Sequence, residues 1–585
     1  MNLDNYLLEV NKPARYLGGE WNCRIKDFEK AYIRFALCFP DTYEVGMSNL
    51  GIRIIYGLLN SIEDVVCERV FLIDRDLEEI IRRDKKTIFS LESKKRLIDF
   101  DIIGFSLNYE LLYPDVLNIL ELAGIPAFSG ERKEGYPLII AGGMCSLNPE
   151  PIAEFIDLFV IGEAEETILK IIDIYRKLKK KNSDRRPPKN TCLHQFKYIE
   201  GVYIPSFYKV SYDRKNRLID FKPIEKDTPS VIKKSYVKEL DKSFYPIDWI
   251  VPYVEIVHDR LILELMRGCP HNCRFCQARV YYFPYRCKSI AKLLDLAEEM
   301  IKNTGYEEIS LAGLSISDYP KINSLIEGLI EKFKEKRIGI SFSSLREKDT
   351  LKELLPIFNR MRKTGLTFAP ETASERLHKI INKNFNLNSF FSLIEEIYRR
   401  GYRHIKLYFM LGIPTEEKID LERILNLSRY VSEIKSRIDK RPAWLSLSLS
   451  TFIPKPHTPF QWLGMERLEK IKEKQEYILS KLKIKDRLYL KFHNPYMSLI
   501  ECLLSRGDRR LAPVIYDVFK MKRSGRGFSL GVWQEACKKN NIDLESYTYQ
   551  FYHKDEFLAW DFIFTGISKE SLWKELEEAL GINKC

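Results

Sequence analysis

Short apolar runs of five to eight residues recur along most of this chain, and each ends in glycine, serine or proline before an amphipathic helical pattern begins. SIAKLLDLAEEMIKN (Ser289–Asn303) is one such helix, with apolar residues at i, i+3, i+4 and i+7. Repeated β-then-α units demand parallel sheets, whose ligands bind at the carboxyl ends of the strands. Two blocks of this kind are present. The first, from about Ala31 to Tyr175, contains AYIRFALCFP, VCERVFLI, DIIGFSLN, YPLIIAGG and IDLFVIGE, which predicts a doubly wound, Rossmann-like sheet. It lacks G-x-G-x-x-G, so a nicotinamide cofactor is not indicated. The second begins at LILELM (Leu261–Met266) and runs to LSLSLSTFIPKPHTPFQW.

Five regions follow. Residues 1–30 read as an N-terminal arm and 31–178 as the Rossmann-like domain. Residues 179–256 read as a basic linker with a β-hairpin (GVYIPSFYKVSYDRKNRLIDFKPI) turning at Asp213–Asn216, 257–490 as the second α/β unit, and 491–585 as a smaller, mostly helical region. With 45% hydrophobic residues the 585-residue chain is not a disordered one. No stretch approaches the roughly 18–20 apolar residues of a membrane span, and the start has no apolar leader core, so a cytoplasmic protein with no membrane partner is expected.

Charge narrows the partners little. Lys+Arg exceed Asp+Glu by 12, and Arg176–Asn190 holds eight cations and one acid. That segment is a solvated linker or an RNA-contacting strip. Arg506, Arg509 and Arg510, in SRGDRR, meet either an anion or Asp508 in an internal salt-bridge cluster. Trp533, Trp560 and Trp573 read as core.

Nine of the twelve cysteines are scattered, as small buried hydrophobes are. Cys269, Cys273 and Cys276 instead form C-x3-C-x2-C in ELMRGCPHNCRFCQARVYYFPYR, where Gly268, Pro270 and Asn272 supply loop chemistry. Three thiolates within eight residues can wrap one metal centre. A closed zinc site needs a fourth ligand, and no second C-x2-C pair follows. A four-iron cluster with three cysteine-bound irons and one open iron fits the spacing better.

With Phe275 before the last cysteine, this motif resembles the radical S-adenosylmethionine (radical SAM) superfamily. The resemblance implies a [4Fe–4S] cluster on Cys269, Cys273 and Cys276, SAM on the open iron, a 5′-deoxyadenosyl radical and a partial (β/α)6 barrel. It implies a flavodoxin- or ferredoxin-type electron donor as well. Further segments carry it. Gly313–Leu314–Ser315 stands where the family has a Gly-Gly-Glu-like turn for the SAM amino group; the glutamate is missing, leaving Ser315, Ser317 or Asp318 for that role. Ser343 and Arg346 (IGISFSSLRE) fall at a strand end. Glu371 (GLTFAPE) stands where SAM ribose or substrate is held, and Gly412 and Pro414 (MLGIPTEE) at the turn that closes on adenine.

The first block resembles the cobalamin-binding domain of one radical SAM branch. The matching residues are Asp41, Tyr43 and Gly46 (DTYEVG), Ser106, Gly142, Gly143, Gly162 and Glu163. Tyr43 replaces the axial histidine of D-x-H-x-x-G, and a phenol is a poorer cobalt ligand than imidazole. Either cobalamin binds without a protein ligand or the domain keeps the fold alone. From about Asn11 to about Gly531 the chain is similar to a bacterial family of uncharacterised B12-binding-type radical SAM proteins. Cobalamin would favour methyl transfer; without it, rearrangement, oxidation or sulfur insertion remain, the last disfavoured because Cys23, Cys38 and Cys67 do not form the second-cluster pattern of the methylthiotransferases. The alternative is an iron–sulfur RNA-binding protein, or a radical SAM enzyme that modifies RNA without cobalamin.

Overall fold

The computed structural model describes residues 4–213, 217–342, 346, 366–441, 443–482 and 488–581. Its first sheet contains β1 (Ile33–Phe39), β2 (Val65–Phe71), β3 (Ile102–Ser106), β4 (Leu138–Gly142), β5 (Leu158–Val160) and β6 (Val202–Tyr203), in the order β2-β1-β3-β4-β5-β6. The first five are parallel and β6 pairs antiparallel with β5. Helices cover both faces, so the strands are buried nearly throughout. Strand order reverses between β1 and β3, and doubly wound sheets bind ligands outside the carboxyl ends at that switch point.

The basic segment after residue 175 is mostly structure. The helix Glu165–Lys181 runs through it, and a second helix, Lys189–Phe196, leads to β6. The first sheet therefore extends beyond residue 178, where the hydrophobic pattern fades. Four of the eight cations are committed within the fold. Arg176 pairs with Asp64 and Lys179 with Asp101, Lys189 pairs with Asp157, and Arg186 donates to the carbonyls of Gly135 and Ile98. A hairpin follows, β7 (Tyr208–Tyr212) and β8 (Leu218–Pro223); its turn at 214–216 lies outside the described residues. β9 (Ile232–Lys233) then crosses toward the second unit.

In that unit β10 (Leu261–Glu264) is followed by a small antiparallel pair, β11 (Met266–Arg267) and β12 (Arg286–Cys287), which brackets the cysteine loop. β13 (Glu308–Ala312) and β14 (Gly339–Phe342) join β10 in a three-stranded parallel sheet. β15 (Leu366–Glu371), β16 (His404–Leu411), β17 (Trp444–Thr451) and β18 (Leu488–Phe492) form a four-stranded one. Both sheets bury their helix-facing side in one apolar cluster. Among the described residues β18 adds a seventh parallel strand to the six expected; its five-residue run, LYLKF, is short and broken by Lys491.

Among the described residues the C-terminal helices have no separate core of their own. The helix Leu511–Arg523 packs on the helix Tyr113–Leu122 of the first domain, and Ile515 and Trp533 belong to the first sheet's core. Further on, β19 (Ile563–Phe564) pairs with β9, and Trp560, Leu572 and Leu576 pack with Phe452 and Trp462 of the loop after β17. Arg506 donates to the carbonyls of Tyr547, Thr548 and Gln550, Arg509 pairs with Glu150, and Arg510 with Asp508. This segment ties the C-terminal region to the first domain. Ile515→Ala should cost about 2–5 kcal/mol. Tryptophan fluorescence and far-UV circular dichroism should report one shared, shifted denaturation midpoint; two separated transitions would show independent cores.

Candidate active site

The carboxyl ends of the two units face each other, and the loop 452–462 after β17 bridges them. Lys455 is buried against Glu110, Glu501 and Ser505. His457 Nε2 meets the Leu147 carbonyl at 3.1 Å, and its ring is packed so tightly that burial pushes its pKa down to about 3. On its other side the Pro456 carbonyl accepts from Gln277, the residue after Cys276.

The cysteine loop is held from every side. Gly268 has φ +80°, and a Cβ there would lie 2.8 Å from Tyr285 Cα, so the turn into the loop requires glycine. Arg274 donates to the Lys379 and Ile380 carbonyls at the end of the helix Glu375–Ile380, and Asn382 donates to the Asn272 carbonyl. Arg274 and Arg279 also pair with Glu578 and Glu575 of the last helix. Cys269, Cys273 and Cys276 are half-buried free thiols. Burial raises all three, Cys276 to about 11, while Lys383 and Arg346 act in the opposite direction on Cys273. Among the described residues no three His, Cys, Asp or Glu side chains converge as one metal ion would need.

The sequence-derived SAM residues distribute around this loop. Gly313 packs on Met266, and Ser315 donates to Asp318, whose carboxylate also meets His271 of the loop at 2.7 Å. Glu371 ends β15 with φ +68° and pairs with Lys383 at 2.9 Å; that ammonium lies 5.9 Å from the Phe275 ring. Gly412 shapes the turn after β16, and its N–H is taken by Glu416. Ser343 lies outside the described residues.

A cavity of about 240 Å³ opens at the switch point of the first sheet. Ser106, Gly142 and Gly143 form its rim, and Phe35, Leu50 and Ile168 line its depth. Arg267, Tyr281 and Tyr282, which flank the cysteine loop, supply the opposite wall. Tyr43 and Gly46 do not line it. The Tyr43 hydroxyl points inward to Glu20 at 2.7 Å, within a buried cluster around Arg69, and Gly46 lies beneath the Phe71 ring. The β1 loop presents Asn49 and Leu50 to the cavity instead.

Beside the cavity runs an ionic network that sequence reasoning missed. Arg267 pairs with Glu163 at 3.1 Å, Glu165 at 2.7 Å and Glu264 at 2.9 Å. Arg286 completes Glu163, and Lys288 completes Glu264. Burial pushes the Glu264 carboxyl up, but Arg267 and Lys288 outweigh it and hold the group at about 2. The charges at the ends of apolar runs in IGEAEET and ELMRG were the available signal, since buried strand ends rarely carry ions without partners.

Two family models match the chain: "Radical SAM proteins, N-terminal" over residues 51–205 and "Radical SAM superfamily" over 263–428. An uncharacterized protein of Methanocaldococcus jannaschii is 30% identical over 483 residues, 82% of this chain and 89% of that one. The chain belongs to the radical SAM superfamily. Two solved structures are similar in arrangement. TsrM from Kitasatospora setae, a radical SAM methyltransferase with cobalamin and a [4Fe–4S] cluster bound, shows 11% identity and a TM-score of 0.48 over 86% of this chain and 99% of that one. OxsB, a cobalamin-dependent SAM radical enzyme with aqua-cobalamin and SAM bound, shows 13% identity and a TM-score of 0.47 over 94% and 79%. Membership implies a [4Fe–4S] cluster and SAM as the cofactors of this radical SAM protein. No helix among the described residues is long and apolar enough to cross a membrane.

Two consequences are measurable. Arg267→Ala leaves Glu165 without its cation, Glu163 with Arg286 alone and Glu264 with Lys288 alone, and should cost about 3–5 kcal/mol, whereas Arg267→Lys keeps the charge and should cost less; equal losses in urea unfolding would contradict a buried network. His457 is neutral when folded, so as pH falls from 6.5 toward 3 the unfolded state binds the extra proton and stability drops by about 1.4 kcal/mol per pH unit. His457→Gln should therefore lose less stability than wild type between pH 7.5 and 5.5; parallel losses would count against the buried neutral ring.

Proposed function

We propose that this protein is a radical SAM enzyme that cleaves SAM reductively at a cluster held by Cys269, Cys273 and Cys276 and uses a cobalamin at the first sheet to methylate its substrate. The supporting observation is the facing of two carboxyl rims, with the apolar cavity and the cysteine loop sharing Arg267, Tyr281 and Tyr282 as one wall. When bound, the cluster supplies one electron to the SAM sulfonium and so gives access to the 5′-deoxyadenosyl radical, with a flavodoxin- or ferredoxin-type donor upstream.

The chain's own residues position and shield. Arg274 and Asn382 fix the loop backbone, and Leu572, Leu576 and Phe275 pack together to exclude water from one side. Asp318, oriented by Ser315 and His271, offers a carboxylate where the missing turn glutamate would meet the SAM ammonium. Glu371 and Lys383 stand as a positioned ion pair beside Phe275, ready for ribose hydroxyls or substrate.

The cavity fits the tail of a cobalamin better than its macrocycle. An apolar cavity of about 150 Å³ takes benzene, so one of about 240 Å³ has room for a bicyclic aromatic base. Ser106, Gly142 and Gly143 of the rim would hold the rest of that cofactor, which would supply a methyl carrier. With Tyr43 turned to Glu20, no protein group on the β1 loop offers an imidazole.

Anaerobically reconstituted protein with dithionite and SAM should form 5′-deoxyadenosine, and Cys276→Ala should abolish both product and cluster absorbance. Gly142→Leu, whose Cβ meets ordinary contacts at 3.5 Å, should block cobalamin uptake and leave the cluster spectrum intact. A fully loaded cluster that never cleaves SAM would overturn the enzyme reading. Cobalamin binding unaffected by Gly142→Leu would move that cofactor elsewhere.

A further inference from the structure

The inner face of the four-stranded sheet has an unusual composition for an α/β unit of this kind. Such interiors are commonly filled by layers of bulky branched side chains. Here the face opposite the helices carries Thr367 on β15, Lys406 and Tyr408 on β16, Ser446, Ser448 and Ser450 on β17, and Tyr489 and Lys491 on β18. Register places them in rows: Thr367, Lys406, Ser446 and Tyr489 in one, and Tyr408, Ser448 and Lys491 in the next. The alternate residues, Leu445, Leu447 and Leu449 among them, are buried against helices. The row residues of β15, β16 and β17 are all half-exposed, and Tyr489 and Lys491 of β18 are exposed.

The three-stranded sheet of the same unit repeats the pattern. Ser310 of β13 is in register with Ser341 of β14, whose buried hydroxyl has no hydrogen-bond partner among the described residues. The charges are equally one-sided. Glu371 at the upper end is engaged by Lys383, and Glu264 by Arg267 and Lys288. Among the described residues Lys406 has only the Tyr408 ring, 4.6 Å away, and Lys491 has no acidic partner. His404 bonds to Ser446 at 2.9 Å. A lysine on the edge strand β18 can be explained as protection against edge pairing. Lys406 cannot, because β16 lies between β15 and β17.

We propose that this face holds the substrate, and that the substrate carries an oxyanion group, a phosphate or a carboxylate, received between Lys406 and Lys491 with Ser446 and Ser448 donating hydrogen bonds. The two lysines stand two strands apart and one row apart, about 10 Å across and about 7 Å along the sheet, within the combined reach of their side chains. Charge-assisted bonds from ammonium and hydroxyl donors are the strong ones for such a group. The inference rests on the radical SAM reading, because that reading makes the sheet interior the place where a radical would meet its target.

Calorimetric titration of the cluster-loaded protein with pyrophosphate and, separately, succinate tests it. At least one should bind with a Kd in the low millimolar range or tighter, more weakly as salt rises. Lys406→Met with Lys491→Met should weaken it at least tenfold, and Lys406→Arg should retain it. Preference for pyrophosphate assigns a phosphate-bearing substrate, and preference for succinate a carboxylate. Binding of neither probe, or equal affinity in the double Met variant with unchanged circular dichroism, overturns the proposal. The titration needs no turnover, so its failure leaves the 5′-deoxyadenosine result standing, and the reverse holds too.

Discussion

The arrangement of this protein depends on one buried cation. Arg267 stands two residues before Cys269 and reaches Glu163 and Glu165 of the first domain and Glu264 of its own strand. A guanidinium out of water needs several acceptors, and a carboxylate out of water needs a cation. Neither domain supplies both sets alone. The rims are therefore held face to face, with Arg286, Lys288 and the Val237 N–H completing the acids.

From that contact the rest of the site follows. Facing rims place the glycines after β4 opposite Tyr281 and Tyr282, so one cavity has walls from both domains. They also give the loop after β17 something to bridge: Lys455 anchors in the first domain while Pro456 touches the residue after Cys276. The C-terminal helices then close the assembly from outside, sharing the first domain's core at Trp533 and bracing the cysteine loop through Glu575 and Glu578. A bracing helix at this point limits how far the loop can flex and how much water reaches it.

Local pattern carried much of the reading. Two α/β blocks, the helix Ile290–Thr304 and the cysteine loop are written in residue order, because hydrophobic period, glycine and proline act within a few residues. The arginines of SRGDRR show the limit. Their sequence suits an anion site, yet Arg506 caps a distant turn and Arg509 meets Glu150, 359 residues away. β18 is marked more weakly for a related reason: its run, LYLKF, is only five residues long and is broken by Lys491.

Tyr43 makes the division plain. The sequence by itself determined the α/β class, the switch-point glycines and a three-cysteine loop able to hold a cluster, since each rests on short-range chemistry. Only the tertiary structure decided that Tyr43 turns inward to Glu20, that half of the basic segment's cations are spent on the sheet, and that Arg267 joins the two rims. Those outcomes depend on which buried charges and hydroxyls find partners. Such partners lie tens to hundreds of residues apart, where no local pattern records them.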